Sequence, residues 1–465
     1  MTSFKSITAV CALACTLLPT VSRAADDVAT VRAELQTLKK DYDARVAALE
    51  ARIAQLESAV AAPVASAASG PPPTPPAPTR AGNSGATAFN PALSLILVGR
   101  YASLSQDPAN YRIAGFIPND GDGPGQRGFS LGESELTVAA NVDPYFFANA
   151  TIAVQADNHI DVEEAYFKTI ALRDGFVLKG GRFFSGIGYL NEVHAHAWDF
   201  IDQPLIYQAL FASQFTQDGA QLKWVAPTDT FFELGAEAGN GANFPGTELD
   251  KNGLNAYALF AHLGGDIGDS TSWRTGASWL DERANNRMFD DGVEAGVPVQ
   301  NAFTGKSRTW MADAILKWAP HGDPTIHQLK VQAEYMHRDE DGQLFFDGPG
   351  ATLGGPYKSA QSGWYLQSVY QFMPRWRVGA RYDDLDSGTP RIGLIANGLF
   401  SSAEFPVLLP ASPRRVSAML DWAPSEFSRL RAQYAWDEAR AADERDRQFF
   451  LQYIYAIGAH GAHKF

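Results

Sequence analysis

The chain has 465 residues, 45% of them hydrophobic and 19% charged, with 41 Gly, 27 Pro, 10 Trp, 16 Tyr and 28 Phe. A formal net charge of −14 leaves no general basic surface for phosphates, so nucleic acid is not an expected partner. Beyond the first 24 residues no uncharged apolar run approaches the roughly 18 to 20 residues a membrane-spanning helix needs, which rules out a helical membrane protein.

Lys5, an apolar stretch from Ile7 to Val21 and the small-residue pattern Ser22-Arg23-Ala24 predict a secretory signal peptide over residues 1–24. Both cysteines, Cys11 and Cys15, fall inside it, so the exported chain would carry neither a disulfide nor a thiolate metal site. Residues 25–61 come next. Their apolar positions Val31, Leu35, Leu38, Tyr42, Val46, Leu49, Ile53, Leu56 and Val60 follow at steps of three and four, with one stutter between Leu38 and Val46. This predicts a coiled-coil helix that associates with copies of itself; the alternative is a solitary amphipathic helix lying on the following domain. Residues 62–89, rich in Pro, Ala and Ser, predict an extended linker.

From residue 90 to 465 the composition changes to alternating segments of about ten residues separated by Gly, Asp, Asn and Pro clusters. In one of them Leu329, Val331, Ala333 and Tyr335 alternate with Lys330, Gln332 and Glu334; in another Trp376, Val378, Ala380 and Tyr382 alternate with Arg377, Gly379 and Arg381. Leu430, Ala432, Tyr434 and Trp436 alternate with Arg429, Arg431 and Gln433 in a third. The repeats Trp224-Val225-Ala226-Pro227, Trp318-Ala319-Pro320 and Trp422-Ala423-Pro424 each close a strand just before a short turn, as an interfacial aromatic girdle does. A soluble sandwich would have to bury the Arg-bearing faces or leave them as one very large solvated surface. The expected fold is therefore all-β, a 16-stranded antiparallel transmembrane β-barrel over residues 90–465 preceded by the coiled-coil segment. Short connectors would face the periplasm. Long ones, including 282–306 and 338–361, would face the exterior.

This combination of signal peptide, coiled coil, Pro-rich linker and 16-strand barrel resembles the phosphate-selective porin O/P family. So do the segment Lys179-Gly180-Gly181-Arg182-Phe183 running into a long loop and the terminal Phe465. The resemblance implies a homotrimer in the outer membrane of a Gram-negative bacterium, in contact with lipid and lipopolysaccharide, with the coiled coil in the periplasm. It also implies a third loop folded into a water-filled channel, passive diffusion of small hydrophilic solutes or ions with anions such as phosphate among them, and a Phe465 read by the barrel assembly machinery.

In such a channel the working parts are fixed charges, and no cofactor is expected. The strand parity would project Arg375, Arg377, Arg381, Arg415, Arg429 and Arg431 into the lumen, facing Glu192, Asp199 and Asp202 of the loop after Phe184. Alternatively these arginines pair with Asp383, Asp421 and Glu334 and merely neutralise a polar lumen. His194 and His196, two residues apart, and His460 and His463 near the C-terminus are candidate metal ligands, so an outer-membrane zinc-uptake protein or receptor is a second reading. A barrel-hosted outer-membrane enzyme is a third, disfavoured because no Gly-x-Ser-x-Gly elbow or His-Glu-x-x-His motif is present.

Overall fold

A computed structural model describes residues 91–119, 123–247, 252–294, 297–348, 351–441 and 444–458, together with Gln36 and Lys40. Within the N-terminal unit, residues 1–83, Gln36 and Lys40 are helical and exposed. The predicted signal peptide, the linker, the rest of the coiled coil, His460, His463 and Phe465 lie outside the described residues.

The barrel unit is one meander of sixteen long strands. The first eight are β1 (Ala92–Leu104), β2 (Gly128–Leu131 continuing as Ser134–Asn141), β3 (Phe146–Val154), β4 (Ile160–Thr169), β5 (Phe176–Phe184), β6 (Thr216–Val225), β7 (Phe231–Gly239) and β8 (Ala256–Ile267). The second eight are β9 (Thr271–Glu294), β10 (Val297–Trp318), β11 (Gln328–Gly348), β12 (Ala351–Met373), β13 (Trp376–Asp386), β14 (Arg414–Ser425), β15 (Ser428–Glu438) and β16 (Asp446–Gly458). A two-residue bridge, Arg391–Ile392, adds to the edge of β12. Every neighbouring pair is antiparallel, and β16 pairs back onto β1 from Ser94↔Gly458 to Leu104↔Gln448, so the sheet closes and leaves no edge.

Both chain ends of the barrel lie on the rim of short turns. There Asp143 accepts hydrogen bonds from the backbone N–H groups of Tyr145 and Phe146, at 2.7 and 2.8 Å, and reverses the chain between β2 and β3. The opposite rim carries the long connections. Two segments expected as loops, 282–306 and 338–361, are instead mostly strand: β9 and β10 run for 24 and 22 residues, β11 and β12 for 21 and 23, forming a tall hairpin wall. Within it, Asn285-Asn286 and Asp291-Gly292 fall at two register shifts, between Ala284 and Arg287 and between Asp290 and Val293.

Along each strand the outward residues are apolar and exposed, among them Leu259, Leu316, Leu366, Leu420, Leu451 and Ile457. Aromatic pairs border this band at both rims. Trp376 stacks on Trp422 at 5.7 Å near the short turns, whereas Trp279 meets Trp310 at 6.2 Å and Trp364 meets Tyr382 at 5.5 Å toward the long loops. From Trp310 to Trp318 on β10 the strand climbs about 27 Å, or about 20 Å once tilted, most of the roughly 25 Å apolar band of an outer-membrane barrel. Leaving so many large apolar side chains exposed is unfavourable in water and favourable against acyl chains.

Candidate functional site

The third long connection, residues 185–215, turns into the barrel instead of away from it. Two glycines make the entry possible. Gly181 has φ +125°, and a Cβ there would overlap the Ala165 carbonyl oxygen; Gly188 has φ +63°, and a Cβ there would crowd Glu334, Met311 and Tyr207. Asn191, fully buried, ties the two ends of the loop together: its Nδ2 donates to the carbonyls of Ser185 and Phe215, both at 2.8 Å, and its Oδ1 accepts from the Phe215 N–H at 2.7 Å. Ile187, Leu190, Trp198 and the short helix Leu205–Phe211 pack with Met311, Met336, Tyr365 and Leu385 of the far wall into an apolar cluster inside the barrel.

Glu334 of β11 receives this loop. Its carboxylate accepts from the N–H groups of Tyr189 and Leu190 at 3.0 and 3.1 Å and from the hydroxyls of Tyr207 and Tyr365 at 2.8 and 2.6 Å. The expectation that Glu334 pairs with the arginines is thereby replaced: it caps the loop.

On β13, β14 and β15 the arginines form two tiers. In the first, Arg377 bridges Asp199 at 3.0 Å and Asp421 at 2.7 Å, Lys330 holds Asp199 at 2.9 Å, and Arg429 and Arg431 reach Asp421 at 3.6 and 3.2 Å. In the second, Arg381 bridges Asp202 and Asp383 at 2.9 and 3.0 Å, and Arg415 meets Asp202 at 2.9 Å, Asp383 at 3.6 Å and Asp437 at 3.7 Å. Burial would raise the Asp199 and Asp202 carboxyls. The charges of Lys330 and Arg377 outweigh it at Asp199 and hold that group far below the carboxylate range, and those of Arg415 and Arg381 bring Asp202 down to about 2.

Arg377, Arg381, Arg415, Arg429 and Arg431 thus face the lumen with Asp199 and Asp202 against them. Two expected members stand elsewhere. Arg375 sits exposed in the turn between β12 and β13 with φ +71°, because the Met373↔Trp376 pairing closes the hairpin there. Glu192 turns to the other wall, 4.0 Å from Lys179 and 3.6 Å from Lys223.

His194 and His196 also meet a wall of their own, made by β2 and β4. His194 Nδ1 lies 3.4 Å from Glu135 and 3.3 Å from Glu163, its Nε2 lies 3.2 Å from Glu164, and His196 Nδ1 lies 2.7 Å from Glu135. Burial lowers the His194 imidazolium, but its bonds to Glu135, Glu163 and Glu164 outweigh that and lift it well above the usual histidine range. Neither these glutamates nor Lys330 stood out from the sequence. The signal was present in the adjacent Glu163-Glu164, because two neighbouring charges in an otherwise alternating strand mark a bulge.

No family model matches the chain. An uncharacterized protein of Aquifex aeolicus is 32% identical over 402 residues, covering 81% of this chain and 80% of that protein. Among solved structures, a loop L8 deletion mutant of OmpT, an outer membrane protein of Vibrio cholerae, aligns with a TM-score of 0.50 at 11% identity, over 79% of this chain and 99% of its own. The outer membrane channel DcaP of Acinetobacter baumannii aligns with a TM-score of 0.47 at 12% identity, over 79% and 97%.

Proposed function

The chain belongs to one family with the uncharacterized Aquifex aeolicus protein, and we propose that it is a porin of a Gram-negative outer membrane, passing small hydrophilic solutes and ions by diffusion. The observation that carries this reading is a lipid-facing apolar band enclosing a lumen lined with charge and narrowed by an inward loop. Fixed charges on opposite sides of a narrow aqueous passage order water and sort solutes by sign, and they need no nucleophile or cofactor to do so. Four cations, Arg377, Arg429, Arg431 and Lys330, share two carboxylates, Asp199 and Asp421, in the first arginine tier. That local surplus favours anions, including phosphate, which guanidinium groups bind bidentately.

In this reading the protein is a homotrimer, with residues 25–61 as a periplasmic three-stranded coiled coil joined to the barrel by the linker. The test is reconstitution of the full mature chain in planar bilayers. Stepwise conductance with an anion-biased reversal potential is expected, and a protein that inserts without conducting would overturn the reading. Deleting residues 25–88 should leave conductance unchanged while loosening the trimer, read by cross-linking.

A further inference from the structure

The glutamate wall combines one bulge on β4 with two glutamates of the same parity on β2. On β4 the pairing jumps from Thr151↔Glu164 to Ile152↔Val162, so Glu163 is an extra residue and both Glu163 and Glu164 turn into the lumen. On β2 the strand breaks at Gly132-Glu133, leaving Glu133 and Glu135 two residues apart. Between these strands the inward residue of β3 is the fully buried Ala153, paired with Glu135 on one side and Asp161 on the other, which leaves room for the carboxylates to lean together. A regular β4 would have placed either Glu163 or Glu164 in lipid, whereas Glu133 and Glu135, two residues apart, need no bulge to share a face. The bulge gathers them under the inward loop.

The oxygens of Glu135 and Glu163 and a ring nitrogen of His194 all lie within 4.8 Å of one another. The His194 Nδ1 separations of 3.4 and 3.3 Å from the two carboxylates equal the edge of a tetrahedron whose bonds to a central ion are about 2.0 to 2.1 Å. The other ring nitrogen of His194 faces Glu164 at 3.2 Å, the hydrogen bond that fixes tautomer and ring plane in metal-binding histidines. His196 holds the remaining Glu135 oxygen at 2.7 Å. Beside it, Glu133 takes the Gln155 amide at 3.0 Å and lies against Glu163, a contact between two carboxyl groups that needs a shared proton or a cation to hold it. Four carboxylates gathered around two imidazoles keep surplus negative charge even with both imidazoles protonated, and a divalent cation would neutralise it.

We propose that Glu135, Glu163 and His194 bind one divalent transition-metal ion of the zinc class, oriented by Glu164 and His196, and that this ion staples the inward loop to the barrel wall. The mixed imidazole and carboxylate donors favour zinc over magnesium, which takes oxygen ligands and retains its waters. The site does not depend on the porin reading, because it requires only the folded barrel.

The experiment uses untagged full-length protein in detergent, stripped with chelator and titrated calorimetrically with zinc chloride alone. One zinc per chain is expected, with at least tenfold weaker binding in His194→Ala and Glu163→Gln and roughly 10- to 100-fold weaker binding in Glu164→Gln. Heat-modifiable gel mobility identifies the folded variants. Independently of any variant, cobalt(II) bound to the wild type should show the visible bands of a tetrahedral N/O site. No zinc uptake by the wild type, magnesium binding as tightly as zinc, absence of the cobalt bands, or binding lost in His460→Ala/His463→Ala but kept in His194→Ala would each overturn the proposal.

Discussion

The inward loop touches two walls that handle charge in opposite ways. On the β13–β15 side each loop carboxylate meets permanent cations: Asp199 lies between Lys330 and Arg377, and Asp202 between Arg381 and Arg415. On the β2–β4 side two histidines meet glutamates, so both partners of each contact are groups that exchange protons and can take a cation. The arginine wall therefore serves as a fixed anchor and a fixed field, whereas the glutamate wall presents imidazole and carboxylate donors to a cation. A single loop joins a permanent contact to a conditional one.

The largest effect should come from breaking the arginine wall at its centre. Asp421 is fully buried and shared by Arg377, Arg429 and Arg431. Asp421→Asn leaves three guanidinium groups around a neutral amide, and removing one partner of a buried ionic network costs about 3–5 kcal/mol. The variant should unfold at clearly lower denaturant, read by the loss of heat-modifiable gel mobility. His196→Ala on the other wall removes one charged hydrogen bond to Glu135, a cost of about 1.5–3 kcal/mol at most. If the two variants are equally destabilised, the distinction between the walls fails.

Acid provides a second contrast. The Asp202 carboxyl is held at about 2 in the folded protein, below its ordinary 3.8. A depressed carboxylate adds stability that is complete above its unfolded value and is lost as pH falls through the folded one, here about 2 kcal/mol between roughly pH 4 and 2. Hydrogen-exchange protection of residues 199–211, measured against the intrinsic rate at each pH, should therefore stay high down to about pH 4 and fall below it. Asp202→Asn should show low protection at every pH, and a loss of wild-type protection already near pH 6 would contradict the anchoring role of Asp202.

The barrel was readable from the sequence because lipid outside and water inside impose a strict period of two, visible at Leu329 to Tyr335 and Trp376 to Tyr382. The girdle was readable in the Trp-Ala-Pro repeats for the same reason. The tall β9–β10 hairpin was not, since the bulges after Ala284 and Asp290 shift the phase of alternation; the β11–β12 hairpin pairs in unbroken register, and there the run Asp339-Glu340-Asp341-Gly342 imitates a turn. Parity also located Arg377, Arg381, Arg415, Arg429 and Arg431, and it failed at Arg375, where the chain reverses. The partners of His194 could not be read from spacing, because Glu135 and Glu163 lie 59 and 31 positions away and only sheet pairing unites them.

The smallest expected effect, and the sharpest test of the comparison, is on ion selectivity. Arg377 and Arg429 are partly exposed to the lumen, with side-chain accessibilities of 22% and 27%, whereas Arg381 and Arg431 are buried at 1%. Only the exposed pair can act on a passing ion, at about 1 kcal/mol per charge at 4 Å in water. Replacing Arg377 and Arg429 together by Ala should shift the reversal potential toward cations, by a few-fold in permeability ratio, and more at low salt, where screening is weak. Glu163→Gln with Glu164→Gln should move it the opposite way and by less, since His194 already offsets part of that charge. Equal and opposite shifts would mean that His194 does not offset the glutamate charge. No shift in either variant would mean that the conducting path avoids both walls.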